Sequence, residues 1–152
     1  MAAAAPPGAV LFACDWNATR SPMAEGIAKK LLGTRAFLQS AGARGALELD
    51  PFAVAVCAEI GVDISRHATH SFDRMAEWGD DLRQFDLIVA LTPAAQRRAL
   101  EAVAGGDTDV EYWPTLDPTD LGETRDQKLA AYRQTRDQIR ERLMARFGLV
   151  LT

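Results

Sequence analysis

Four short apolar runs, separated by stretches with helical spacing, set the frame of this chain. Val10-Leu11-Phe12-Ala13 reads as a buried strand, bounded by Gly8 before it and polar residues after it. Ala36–Ala41 reads as a second strand, ended by Gly42. Phe85-Asp86-Leu87-Ile88-Val89-Ala90-Leu91 is the clearest strand, apolar at nearly every position and so covered on both faces. Val110-Glu111-Tyr112-Trp113 reads as a fourth. The helical stretches lie between and after them. Pro22–Leu32 carries Met23, Ile27 and Leu31 four apart, with Gly33 closing it. Asp50-Pro51 opens a helix to about Ile60, stopped by Gly61. Residues 62–85 are mixed, with a short helix expected in Ser71–Arg83. Thr92-Pro93 starts a helix to about Ala104, ended by Gly105-Gly106. Arg125–Phe147 is a long closing helix whose stripe of Leu129, Tyr132, Ile139, Leu143 and Phe147 reads as core.

Strands alternating with helices predict a three-layer α/β fold, with a four-stranded parallel sheet covered by helices on both faces. With no internal repeat and no linker, residues 9–152 are expected to form one domain behind a flexible tail, residues 1–8. The tail lacks the basic start and apolar core of a secretory signal. In such sheets ligands bind beyond the carboxyl ends of the strands, the end from which the loops carrying Cys14, Ser40, Thr92 and Asp117 are expected to leave.

Composition narrows the function. A net charge of −4 argues against a nucleic-acid partner, which calls for a basic face. No stretch approaches the ~18 apolar residues of a membrane span. Two cysteines make neither a disulfide framework nor a metal site, which fits a reduced, cytoplasmic protein.

The chemistry concentrates in Cys14-Asp15-Trp16-Asn17-Ala18-Thr19-Arg20, between the first strand and the first helix. Ser21-Pro22 reads as an N-cap with proline at the first helical position, and Glu25 follows in the first turn. Strand, tight loop and helix N-terminus in that order converge backbone N–H groups into an anion cradle. Such surroundings favour the thiolate of a cysteine at the cradle's mouth. Arg20 adds a planar fork of donors matched to two oxygens of a phosphate. Nucleophile, cradle and fixed cation together describe phosphoryl transfer through a phosphocysteine. The plainer account is a buried cysteine ending a strand and an arginine on a solvated loop.

Departure of an alkoxide or phenoxide calls for an acid, which then serves as base toward water. Asp117, in Pro114-Thr115-Leu116-Asp117-Pro118, follows the fourth strand on the catalytic side. Asp50 also precedes a proline, but an N-cap role accounts for it. Asp80, Asp81, Asp107 and Asp109 fit a solvated face equally well. His67 and His70 lack partners at metal-ligand spacing, so neither metal nor cofactor is expected.

With these residues in view, the chain resembles the low-molecular-weight protein tyrosine phosphatases, whose fold is shared with thioredoxin-coupled arsenate reductases. The resemblance runs from Val10 to the last helix. It rests on Val10-Leu11-Phe12-Ala13-Cys14, Asn17, Arg20-Ser21-Pro22-Met23-Ala24-Glu25, Ser40-Ala41-Gly42 and Asp117-Pro118. It implies Cys14 as nucleophile, Arg20 on phosphate and Asp117 as acid. Asn17 would hold the loop in its strained shape, Ser21 would stabilise the thiolate, and Ser40 and His67 would be their outer hydrogen-bonding partners. The family's loop usually has glycine where Trp16 stands and a second cysteine where Thr19 stands, so no neighbouring disulfide can shield Cys14 from peroxide. Thr119-Asp120 and roughly Ala46 occupy the places of the family's pocket aromatics, and Trp16 is the candidate replacement wall.

The expected substrate is a phosphorylated protein or a small aryl phosphate, with inorganic phosphate as product and the chain acting as a monomer or weak homodimer. Two other uses of the cradle stay open. One is arsenate reduction with external thiols, since Cys57, read as a buried hydrophobe, is the only other cysteine. The other is a non-catalytic module that binds an oxyanion or phosphopeptide.

Overall fold

A computed structural model describes residues 7–148; the first six residues of the expected tail lie outside it. The order is β1 (Ala9–Cys14), α1 (Arg20–Leu32), β2 (Phe37–Gly42), α2 (Pro51–Ala58), α3 (Phe72–Glu77), a 3₁₀ turn at Leu82–Gln84, β3 (Leu87–Ala90), α4 (Pro93–Ala102), β4 (Asp109–Tyr112) and α5 (Arg125–Phe147). The four strands form one parallel sheet in the order β2-β1-β3-β4. The connections after β1 and β3 therefore leave in opposite directions, and a crevice opens where they part. Cys14 ends β1 at that point.

The pleat sends successive side chains to opposite faces, which splits the core in two. Val10, Phe12 and Cys14 face a layer built from Met23 and Ile27 of α1, Val56 and Cys57 of α2, and Ile139, Leu143 and Phe147 of α5. Leu11 and Ala13 face the other layer, with Phe72 and Met75 of α3 and Ala95 and Ala99 of α4. β3 is buried at all four positions, as its unbroken apolar run demands. The stripe expected on α5 is core: Tyr132, Ile139, Leu143 and Phe147 are buried, and Leu129 packs against them.

Most helix starts are where their caps place them. Asp50, Ser71, Thr92 and Thr124 each accept a backbone N–H of the helix they precede. α1 differs from expectation. It starts at Arg20 with Thr19 at the cap position, which puts Ser21 and Pro22 inside the first turn. The Ser21 side chain is engaged elsewhere, and a proline in a first turn loses no helical bond, because those N–H groups have no intrahelical acceptor.

Candidate active site

Six residues lie between Cys14 and Ser21, and the loop they form closes on itself because its carbonyls are drawn outward. The segment after β2 supplies the donors: Ala43, Arg44, Leu47 and Asp50 give their N–H groups to the carbonyls of Cys14, Asp15, Trp16 and Ala18 at 2.8–3.0 Å. A planar trans peptide points its N–H opposite to its C=O. The amides of Asp15, Trp16, Asn17 and Thr19 are thereby turned to the inside of the loop. Gly42 makes this clamp possible: a Cβ there would stand 1.9 Å from the Gly45 carbonyl oxygen and 2.9 Å from the Trp16 carbonyl carbon.

Asn17 takes the strained corner. Its φ of 53° makes it the sole non-glycine residue with positive φ among those described, a conformation that asparagine tolerates better than most. Its side chain is fully buried and fully used. Nδ2 donates to Ser21 Oγ and Ser40 Oγ, both at 2.9 Å, while Oδ1 accepts from His67 Nε2 at 2.8 Å and from the His70 N–H at 3.1 Å. Ser40, which lies within β2 rather than on the loop after it, donates to Glu25 Oε1 at 2.6 Å.

These partners fix the direction of each hydrogen. An amide nitrogen only donates, so Ser21 Oγ accepts from Asn17 and its own hydrogen is free to point at Cys14 Sγ, 2.9 Å away. The Ser21 N–H reaches the same sulfur at 3.4 Å. Oδ1 of Asn17 only accepts, so His67 carries its proton on Nε2. Burial lowers the His67 pKa, helped by His70 and Lys29 and opposed by Glu25, which keeps the ring neutral. Asn17, Ser21, Ser40 and His67 lie in one continuous hydrogen-bond network that ends on Cys14.

The rim is built differently. Arg20 Nη1 donates to the Thr115 carbonyl at 2.9 Å and Nη2 stands 3.6 Å from Asp117 Oδ2, which brings the segment after β4 over the loop. Burial raises the proton affinity of Asp117. Two hydrogen bonds from Thr119 and the charge of Arg20 outweigh it, and the carboxyl is held below its ordinary range. A pocket of about 780 Å³ opens over Cys14, with Arg20, Asp117, Trp16, Leu47, Thr119 and Asp120 among its walls. Trp16 is 38% exposed there, with the Arg44 guanidinium 5.5 Å over its ring. Asp80, Asp81, Asp107 and Asp109 do not line this pocket. Asp81 pairs with Arg83, and Asp109 starts β4 at the opposite end of the sheet. Among the described residues no cluster of three or more His, Cys, Asp and Glu side chains is arranged to hold a metal ion, and no helix is long and apolar enough to cross a membrane.

Across residues 9–150 the sequence matches the family model described as low molecular weight phosphotyrosine protein phosphatase. The chain belongs to this family. Among curated relatives, the arsenate reductase of Bacillus subtilis (strain 168) is 34% identical over 134 residues, spanning 88% of this chain and 91% of the relative. The arsenate reductase of Halalkalibacterium halodurans is 33% identical over 136 residues, with the same coverage. Among solved structures, Vibrio vulnificus Wzb in complex with benzylphosphonate superposes with a TM-score of 0.75 at 21% identity, covering 94% of this chain and 99% of that one. The YwlE arginine phosphatase with a phosphorylated active-site serine gives 0.73 at 21% identity, covering 92% and 93%. The family thus joins cysteine-based phosphatases and arsenate reductases on one fold, and membership leaves the activity of this phosphatase-family chain to be argued from its own site.

Sequence reasoning missed three contributions to the site. Asp50 caps α2, as expected, but its second oxygen accepts from Thr19 Oγ1 at 3.0 Å and from the Tyr132 hydroxyl at 2.5 Å. Tyr132, read as core, also supplies a polar tip beside the loop. Glu25, read as a first-turn acid, instead terminates the Asn17–Ser40 chain and pairs with Lys29. The signal for Tyr132 was its hydroxyl on a buried stripe, since a buried phenol needs a partner.

Proposed function

We propose that the chain is a phosphomonoester hydrolase of the protein tyrosine phosphatase type, working through a phosphocysteine on Cys14. The observation that carries this reading is the pairing of one thiol at the cradle with a carboxylate, Asp117, at its mouth. The loop amides and Arg20 hold the three non-bridging oxygens of the phosphoryl group. The Cys14 sulfur then attacks phosphorus opposite the leaving oxygen; the S–P bond forms, the P–O bond breaks, and Asp117 gives its proton to the departing oxygen. The bound dianion engages Arg20 and sets a like charge beside Asp117, both of which favour the protonated acid. In the second step Asp117, again a carboxylate, takes a proton from water, whose oxygen displaces sulfur and releases inorganic phosphate. Ser21 receives the returning thiolate with its hydroxyl and N–H. Phosphorylated proteins and small aryl phosphates are the substrate class, and the acid-rich rim of Glu48, Asp117 and Asp120 favours those without flanking negative charge.

The names of the curated relatives favour a second reading, arsenate reduction, in which the same thiolate attacks arsenate. Electrons must then come from thiols. Cys57 is a poor source: it is fully buried, and burial pushes its thiol up to about 12 against the opposing charge of Arg136. Reduction would depend on an external thiol. Rapid quench with an aryl phosphate tests the first reading: a phosphocysteine that vanishes in Cys14→Ser supports it, and turnover without one overturns it. On the same preparation, arsenate-dependent thiol oxidation exceeding phosphate release would reverse the ranking of the two. Cys57→Ala should leave phosphate release within about twofold, since a buried hydrophobe contributes to packing and not to the pocket.

A further inference from the structure

Thr19 occupies the N-cap position of α1, yet no backbone N–H of the helix bonds to its side chain. Its ψ is −74°, whereas the caps of the other four α-helices have ψ between 118° and 168° and all accept a helix N–H. A threonine cap accepts from the second or third helical residue. Here the third is Pro22, which has no N–H, and the second is Ser21, whose N–H points at Cys14 Sγ. A Thr19 hydroxyl free to act as a cap therefore has one amide available, and it is the amide that serves the sulfur.

Asp50 removes that competition. Its Oδ2 accepts the Thr19 hydroxyl at 3.0 Å and the Tyr132 hydroxyl at 2.5 Å, its Oδ1 accepts the Phe52 N–H at 2.9 Å, and its own N–H holds the Ala18 carbonyl at 3.0 Å. Tyr132 is buried against Phe52, with ring centroids 5.3 Å apart, and its phenol stays protonated because burial, and then the Asp50 carboxylate, raise its pKa. It remains a donor to Asp50 through the pH range in which a thiolate exists. We infer that Asp50, oriented by Tyr132, is a positioning residue: it draws the Thr19 hydroxyl out of the cradle and so reserves the Ser21 N–H for the Cys14 sulfur. The inference rests on Cys14 acting as a thiolate, as the hydrolase reading requires.

The readout is the rate of iodoacetamide alkylation at Cys14 on the acid limb of its pH–rate profile, where the rate follows the thiolate fraction, with the site assigned by peptide mapping. Asp50→Ala frees Thr19 to cap, which should slow alkylation by about tenfold, the weight of one hydrogen bond to a charged acceptor. Tyr132→Phe should slow it by a smaller factor. Adding Thr19→Val to either should restore the rate, because no hydroxyl is left to compete. A merely structural role predicts the opposite sign, since a loosened loop exposes the sulfur and speeds alkylation, and the added Thr19→Val would not repair it. If Asp50→Ala does not fold, Tyr132→Phe with and without Thr19→Val decides alone. Unchanged or faster alkylation in the single variants, or no recovery in the double, overturns the inference. An unreactive Cys14 in the wild type overturns it together with the hydrolase reading; a reactive Cys14 indifferent to these variants overturns the inference alone.

Discussion

The floor and the rim of the pocket are held by different physics. On the floor, Asn17, Ser21 and Ser40 are fully buried, and every polar atom named there has a partner. A buried polar network of this kind is rigid because opening any member costs desolvation without return. At the rim, the Asp117 side chain is 53% exposed and Trp16, Leu47 and Asp120 are also open to solvent. The Arg20–Thr115 bond and the longer Arg20–Asp117 contact tie the segment after β4 to the loop. The open part is freer to differ: of the departures from the family's usual loop and pocket, those at Trp16, Thr119 and Asp120 fall there, while the one at Thr19 lies on the buried loop.

The largest effect that would break this contrast comes from Asn17→Ala. It strands Ser21, Ser40 and His67 and leaves a Cβ residue without local bonds at positive φ, so a loss of about 3–5 kcal/mol in urea unfolding is expected, with loss of nearly all turnover. A cost under about 1 kcal/mol would mean that the floor is not the rigid element. Next is Asp117→Asn, which should lower kcat for a poor leaving group by about 10²–10⁴-fold, while stability stays within about 0.5 kcal/mol as for other exposed positions. A proportional loss of stability would join rim to floor.

A third test uses pH. The folded His67 binds its proton more weakly than an unfolded imidazole, so the unfolded chain holds the extra proton as pH falls below the ordinary imidazole range, and stability falls with it. The decline stops once pH drops below the folded value. The melting temperature should trace this slope in the wild type and flatten in His67→Gln. Asp117 contributes in the same direction but lower, where its depressed carboxyl protonates, and only weakly because it is exposed. The smallest effect is expected from Trp16→Ala: KM for an aryl phosphate raised about threefold through loss of a ring contact, with kcat and melting temperature unchanged. An unchanged KM would remove Trp16 as a wall.

Some of this is legible in the sequence. Unbroken apolar runs gave β1 and β3, and the Asp50-Pro51 and Thr92-Pro93 pairs gave two helix starts, because caps and buried strands are local or nearly local matters. α5 came out with the bounds its periodicity predicts. The start of α1 did not, because Ser21 looks like a cap to its neighbours in sequence and is claimed instead by Cys14 and Asn17. The same holds for Asp50: its bond to Phe52 is local, and its bonds to Thr19 and Tyr132 span 31 and 82 residues.

By itself, then, the order of residues determined the strand–loop–helix unit around Cys14, the presence of Arg20 six positions on, and the helices that bury the sheet, since each depends on contacts within a few residues or on a repeating pattern. Folding decided which side chains became partners. The direction of the Ser21 hydrogen, the neutrality of His67, the hold of Arg20 on the Asp117 segment and the turning away of Thr19 all depend on groups from distant segments meeting at hydrogen-bond distance, and a linear pattern carries no information about angles between elements it does not join.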